Sequence, residues 1–316
     1  MEWFRGTCAG LLLGVSLVGM ACGDEKSEPL RLESKRLTGS GEILVKVNGQ
    51  AITRGDLERV FVLRMIPAEM QAKLQEQLLG QMIDAKLMRQ YLLEQKVKVP
   101  EEEVERQIQR LETMLSKRPD SKPILAKLNE NKRQLREEIS VPLMWREYQR
   151  KAITDEVLIA YFEQHKEELD GTKIRVSHIL LKCPPGTNDE EAAAKEKMLT
   201  ELRVEIASGK TSFEQAAEVT SEAPSGKMGG DIGAIAWEGV MPDSFCAVAF
   251  KLPIGEVSEP FRTHFGWHLC VVKEKIPGDL SVEDVRKEIF ARVSQEAWEK
   301  KLEELRAGAK IEVVGK

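Results

Sequence analysis

The chain has 316 residues, 42% of them hydrophobic and 31% charged, with a formal net charge of −5. That length and apolar content suffice for two domains with cores of their own. The acidic balance, with no basic patch interleaved with aromatics, offers no general attraction for nucleic acid.

MEWFR brings one positive charge, LLLGVSLVGM is an apolar stretch too short to span a bilayer, and Gly19-Met20-Ala21 is a small-x-small cleavage pattern, so residues 1–21 read as a signal peptide. Ala21-Cys22 resembles a lipoprotein processing site, in which Cys22 becomes the lipidated first residue. Gly19 stands where such sites usually carry leucine, so lipidation and simple secretion both stay open. Residues 22–41 are charged, contain Ser and Gly, and show no periodicity, as expected of a solvated tether.

ILVKVNGQAIT predicts a strand entering a turn at Asn48-Gly49. Helical spacing follows over Asp56–Met65 and Glu69–Gln95. Pro100 opens another helix, with Glu101, Glu102 and Glu103 in its first turn, and RPDSKP ends it. A further helix runs from Leu125 to about Lys151, kinked or split at Pro142. Thr154-Asp155-Glu156 caps the next, EVLIAYFEQHKEEL, which carries a solvated His165 and leads into Asp170-Gly171.

From Thr172 to Ile276 short strands and helices alternate, and His178 (VSHILLK) and His268 (FGWHLCVV) both sit in strand-like runs. A histidine so placed is partly buried and needs a hydrogen-bonding partner. Ser281–Arg306 is one more amphipathic helix, followed after Gly308 by the strand KIEVV. A lone terminal strand needs a partner, and Ile43–Val47 is the candidate. The expected domains are therefore a helical one, residues 42–170, completed by residues 278–316, with residues 171–277 inserted.

Of the five cysteines, Cys8 leaves with the signal and Cys22 is the lipidation candidate. The odd remainder, Cys183, Cys246 and Cys270, reads as buried small apolar residues rather than a disulfide framework. GxSxG, HExxH and CxxC are absent. ASGKTS ends like a phosphate-binding loop, but Val204 occupies the required glycine position. A metal site from His178, His264, His268 and a cysteine is the competing reading of the histidines; it rests on spacing alone, without a carboxylate cluster.

VSHILLK, FEQAAEVTSEAPSGKMGGDIG and GVMPDSFCAVAFKLPIGEVSEPFRTHFGWHLCVV, in that order, resemble the parvulin class of peptidyl-prolyl isomerases. The surrounding layout is similar to SurA- and PrsA-like extracytoplasmic foldases. The resemblance implies an α+β protein: a mostly helical, chaperone-like domain formed by the two ends of the chain, and an inserted four-stranded antiparallel sheet wrapped by helices. It implies catalytic positions at His178, Ser221 and His268, substrate-binding positions at Met241, Phe245 and Phe265, and no cofactor or metal. Asp231 falls in the matching GGDIG block. Ala223 departs from the pattern, because relatives usually carry cysteine or aspartate there.

The implied function is cis-trans isomerisation of Xaa-Pro bonds in unfolded or nascent secreted and outer-membrane proteins, on the periplasmic side of a membrane reached through the lipid anchor. The alternative is a non-catalytic, membrane-tethered chaperone that keeps the parvulin-like insert as a peptide-binding scaffold. From spacing alone, Met241 and Phe245, four apart, would line one helix face in any core, and the two histidines could be satisfied core residues.

Overall fold

A computed structural model describes residues 41–119, 121–129 and 132–314. The signal segment, Cys22 and all but the end of the tether lie outside the described residues. β1 (Ile43–Val47) buries Leu44, Val45 and Val47 and turns at Asn48-Gly49 into β2 (Gln50–Thr53). Both turn residues have positive φ, 49° and 81°, which is why Asn-Gly suits a tight hairpin. Thr53 then caps α1 (Arg54–Leu63): its hydroxyl accepts from the Asp56 N–H while the Asp56 carboxylate accepts from the Thr53 N–H.

α2 (Ala68–Glu94) buries Leu78, Leu79, Ile83, Leu87, Met88 and Leu92, and α3 (Glu101–Ser116) buries Val104, Ile108 and Leu115. Within the helix expected from Leu125 to Lys151, the described residues form α4 (Ser121–Asn129) and α5 (Lys132–Ala152), and α5 runs through Pro142 without dividing there. Proline removes one backbone bond, but Val141, Leu143, Met144 and Trp145 around it are all buried, and each contributes about 1.5–3 kcal/mol against a proline cost of about 3 kcal/mol.

α6 (Asp155–Gln164) and α7 (Lys166–Leu169) follow, divided at His165, whose ring stacks on Tyr161 at 4.3 Å and whose Nδ1 lies 3.1 Å from Glu168. Next come β3 (Lys173–Lys182), α8 (Asp189–Ala207), α9 (Phe213–Thr220), a 3₁₀ turn (Pro224–Met228), β4 (Asp231–Ala236), α10 (Asp243–Ala249), β5 (Phe261–Thr263) and β6 (Gly266–Ile276). The four strands form an antiparallel sheet in the order β4-β3-β6-β5, as the resemblance implied. Alternation along β3 and β6 divides the residues between two faces. Ile174, Val176, Cys270 and Val272 pack with Phe245, Cys246 and Phe250, while Ile179, Leu181, Leu269 and Val271 pack with Leu199, Phe213 and Ala217. Cys183, Cys246 and Cys270 are all free and buried.

α11 (Val282–Gly308) leads to β7 (Ile311–Val313), which pairs with β1 in the expected way, Val45 opposite Val313 and Val47 opposite Ile311, giving the order β2-β1-β7. The chain divides into two compact units, residues 1–154 with 293–316, and residues 155–292. The expected boundaries at 170/171 and 277/278 thus fall inside the second unit. α6, α7 and the start of α11 belong to it: Lys275 reaches Glu167 at 2.9 Å, Leu280 N–H donates to the Asp170 carbonyl at 2.9 Å, and Arg286 pairs with Asp155.

Candidate active site

β3 and β6 are the two central strands, and their register places His178 opposite Cys270 and His268 opposite Leu180. The histidines are therefore diagonal neighbours on one face. His178 is 6% exposed and His268 0%. Their Nδ1 atoms lie 3.4 Å apart, with the rings stacked at 5.6 Å. His178 Nε2 meets the Ser225 hydroxyl at 3.1 Å, and His268 Nε2 meets the Thr263 hydroxyl at 2.8 Å.

The Thr263 oxygen also accepts from the Phe265 N–H at 3.1 Å, and its hydroxyl can still either donate to His268 Nε2 or accept from it. A single direction along the row satisfies every ring nitrogen, either from Thr263 through His268 and His178 to Ser225 or the reverse. This arrangement needs one proton on each ring. Burial lowers the pKa of His178 to about 4; burial, followed by the proximity of His178 and His264, lowers that of His268 to about 3. Both imidazoles are neutral at pH 7, and all four ring nitrogens are engaged, which removes the ligand positions the metal reading required. His264 sets its ring against Phe265 at 3.9 Å.

Ser225 is carried by the 3₁₀ turn, and the glycines after it lay that turn against β3. Gly230 (φ 78°) accepts from the His178 N–H at 2.9 Å, and a Cβ there would lie 2.5 Å from the His178 carbonyl oxygen. Only glycine permits that approach. Ser221, expected among the catalytic positions, accepts from the backbone N–H of Leu180 at 3.2 Å and of Ala223 at 3.3 Å. Its hydroxyl fastens the end of α9 to β3, and the serine on the histidine pair is Ser225. Asp231 accepts from the Gly233 N–H at 2.8 Å and pairs with Arg175 at 3.2 Å. The Gly233 bond is the main reason its pKa is lowered, so it too is a turn former.

Phe245 lies on α10, 0% exposed, with its ring edge-on to His178 at 5.8 Å and to His268 at 5.5 Å. It forms the floor, so a ligand would meet it only through what lies above. The apolar surface that remains reachable is half-buried Met241, Ile232 and Phe261, together with Phe265, which is 50% exposed. Phe261 also stacks on His268 at 5.5 Å. Ser225, Thr263, Phe261 and Ile232 were missed in the sequence reading. The hairpin register could have supplied two of them, because Phe261 pairs with His268 and Thr263 with Gly266, which puts both side chains on the His268 face.

The rotamase family, described as the PPIC-type PPIASE domain, matches residues 178–274, and the SurA-like N-terminal domain matches residues 33–118. The chain carries a PpiC-type prolyl isomerase domain joined to a SurA-like N-terminal domain. It is 26% identical over 286 residues to the foldase protein PrsA of Geobacillus sp. (strain WCH70), covering 88% of this chain and 90% of that protein. It is 35% identical over 128 residues to the putative peptidyl-prolyl cis-trans isomerase SurA of Haemophilus influenzae, covering 40% of each. The crystal structure of PrsA from Bacillus anthracis matches with a TM-score of 0.45 at 22% identity, over 73% of this chain and 94% of that one. The stretch matched by the rotamase family, residues 178–274, contains every member of the histidine network. The rotamase domain is the prolyl isomerase part of the chain, and the chain is similar to proteins named as PrsA foldases and SurA chaperones.

Proposed function

We propose that the face above His178 and His268 is the catalytic cleft, and that it turns Xaa-Pro bonds in unfolded or folding extracytoplasmic proteins. Rotation about a prolyl bond crosses a barrier of roughly 20 kcal/mol set by amide resonance, and no covalent bond is made or broken. Neither nucleophile nor metal is required. The site must hold the twisted amide better than the planar one. In this reading the proline ring rests on Met241 with Phe245 beneath it, and Phe265 flanks the cleft. The neutral histidine pair keeps the floor rigid and poor in water, which disfavours the more charge-separated planar amide. The observation that carries the reading is the buried Ser225–His178–His268–Thr263 network under an otherwise apolar rim.

Cys22 as the lipidated first residue of the mature chain would hold the protein at the membrane surface. Several acyl chains, at about 0.8 kcal/mol per buried CH₂, make such anchoring durable. Mass spectrometry of the membrane-extracted protein tests this, an N-terminal peptide beginning at unmodified Gly23 or later being the outcome that would exclude it.

One observation favours the chaperone alternative: Ala223, 9% exposed, brings no polar group to the loop between Ser221 and Ser225. NMR exchange on a series of short Xaa-Pro peptides with the whole mature chain separates the two. Exchange that is lost in Met241→Ala supports the isomerase. Absence of exchange from a folded protein leaves a tethered chaperone.

A further inference from the structure

We infer that Glu238 and Arg292 form a clamp that positions Met241 for the isomerase reaction, a role that rests on the cleft proposed above. Met241 is carried by segment 237–242, which joins β4 to α10. Among the described residues, no backbone hydrogen bond outside the strand and helix ladders holds 237–241. Gly239 (φ 119°) has open space around it, and Val240 is 71% exposed. The segment is therefore placed by its side chains. Trp237 packs its ring on Phe250 at 5.1 Å. Glu238 Oε1 lies 2.9 Å from Arg292 Nη2.

Arg292 is itself well fixed. Its Nη1 lies 3.3 Å from Glu168 Oε2 on α7, and its Nη2 2.8 Å from Glu288 Oε1, one turn back on α11. Its side chain is only 22% exposed. The planar guanidinium serves three carboxylates at once, a geometry that lysine's single ammonium does not supply. Glu238 is the exposed partner, so the contact contributes little to global stability and is screened by salt. The effect falls on the loop. A loop with few anchors samples more positions when one is removed, and a displacement of the ring-gripping side chain lowers the population of productive geometry.

Glu238→Gln, Met241→Ala and the double variant of the full mature chain test the clamp on an uncharged Xaa-Pro peptide, at low and high salt. The expected result at low salt is a fall in kcat/KM of roughly two- to five-fold in Glu238→Gln, the range an exposed ion pair can supply, with an unchanged unfolding midpoint. High salt should bring the wild type down to the level of Glu238→Gln and leave that variant flat. In the Met241→Ala background Glu238→Gln should have no further effect. Wild-type kcat/KM in Glu238→Gln at low salt, or an equal fall with and without Met241, would overturn the clamp. Full activity in Met241→Ala would sink the placement of the cleft, and the clamp with it.

Discussion

His178 and His268 meet through their Nδ1 atoms at 3.4 Å although neither stands opposite the other in the sheet. The diagonal offset is what allows each ring to present Nδ1 inward and Nε2 outward, to Ser225 on one side and Thr263 on the other. The pair is thus part of the floor before it is part of any reaction. His178→Ala should lower stability by about 1–3 kcal/mol, because it leaves His268 and Ser225 without a buried partner, and the loss in stability should be at least as large as the loss in turnover. Denaturant unfolding beside peptide exchange checks this; normal stability with lost turnover would instead make His178 a chemical participant.

Acid should unfold the isomerase unit earlier than its carboxylates alone would. Both histidines have folded pKa values below the usual 6.5, about 4 for His178 and about 3 for His268, mainly through burial. The unfolded chain then binds protons that the folded chain refuses, so this contribution is complete above pH 6.5 and is lost as pH falls from there toward 4 and 3. Thermal midpoints measured from pH 7 to pH 4 should fall in the wild type and fall less in a His178→Phe variant that still folds.

Met241 and Phe245 should separate in their effects even though they share a helix-period spacing. Met241 is half-buried at the rim, so Met241→Ala should reduce kcat/KM with a modest change in stability. Phe245 is 0% exposed among both histidines and Phe261, and Phe245→Ala should cost about 3–5 kcal/mol. Parallel urea titrations and exchange rates read the two apart.

Gly230→Ala should be among the most damaging small substitutions in the isomerase unit. The added methyl group would meet the His178 carbonyl at 2.5 Å and oppose a φ of 78°, which combines backbone strain with loss of the β3 contact. Gly233→Ala shares the positive φ, 77°, but meets nothing within 4 Å, so it should be clearly milder in the same unfolding assay.

Much of this protein was determined by the sequence alone. The strand-like runs around His178 and His268, the Asn48-Gly49 turn and the unpartnered terminal strand KIEVV each depend on local chemistry or on one unpaired edge, and those are visible residue by residue. The three ordered blocks from VSHILLK to FGWHLCVV were enough to point to the isomerase domain. Tertiary structure decided the rest, because it depends on what neighbours contribute. Burial around Pro142 kept α5 whole, ion pairs and backbone bonds drew α6, α7 and the start of α11 into the isomerase unit, and Ser225 rather than Ser221 reached the histidine pair. Which of two hydroxyls four residues apart faces a ring is set by how a 3₁₀ turn lies on a strand, and a linear pattern of residue types does not contain that angle.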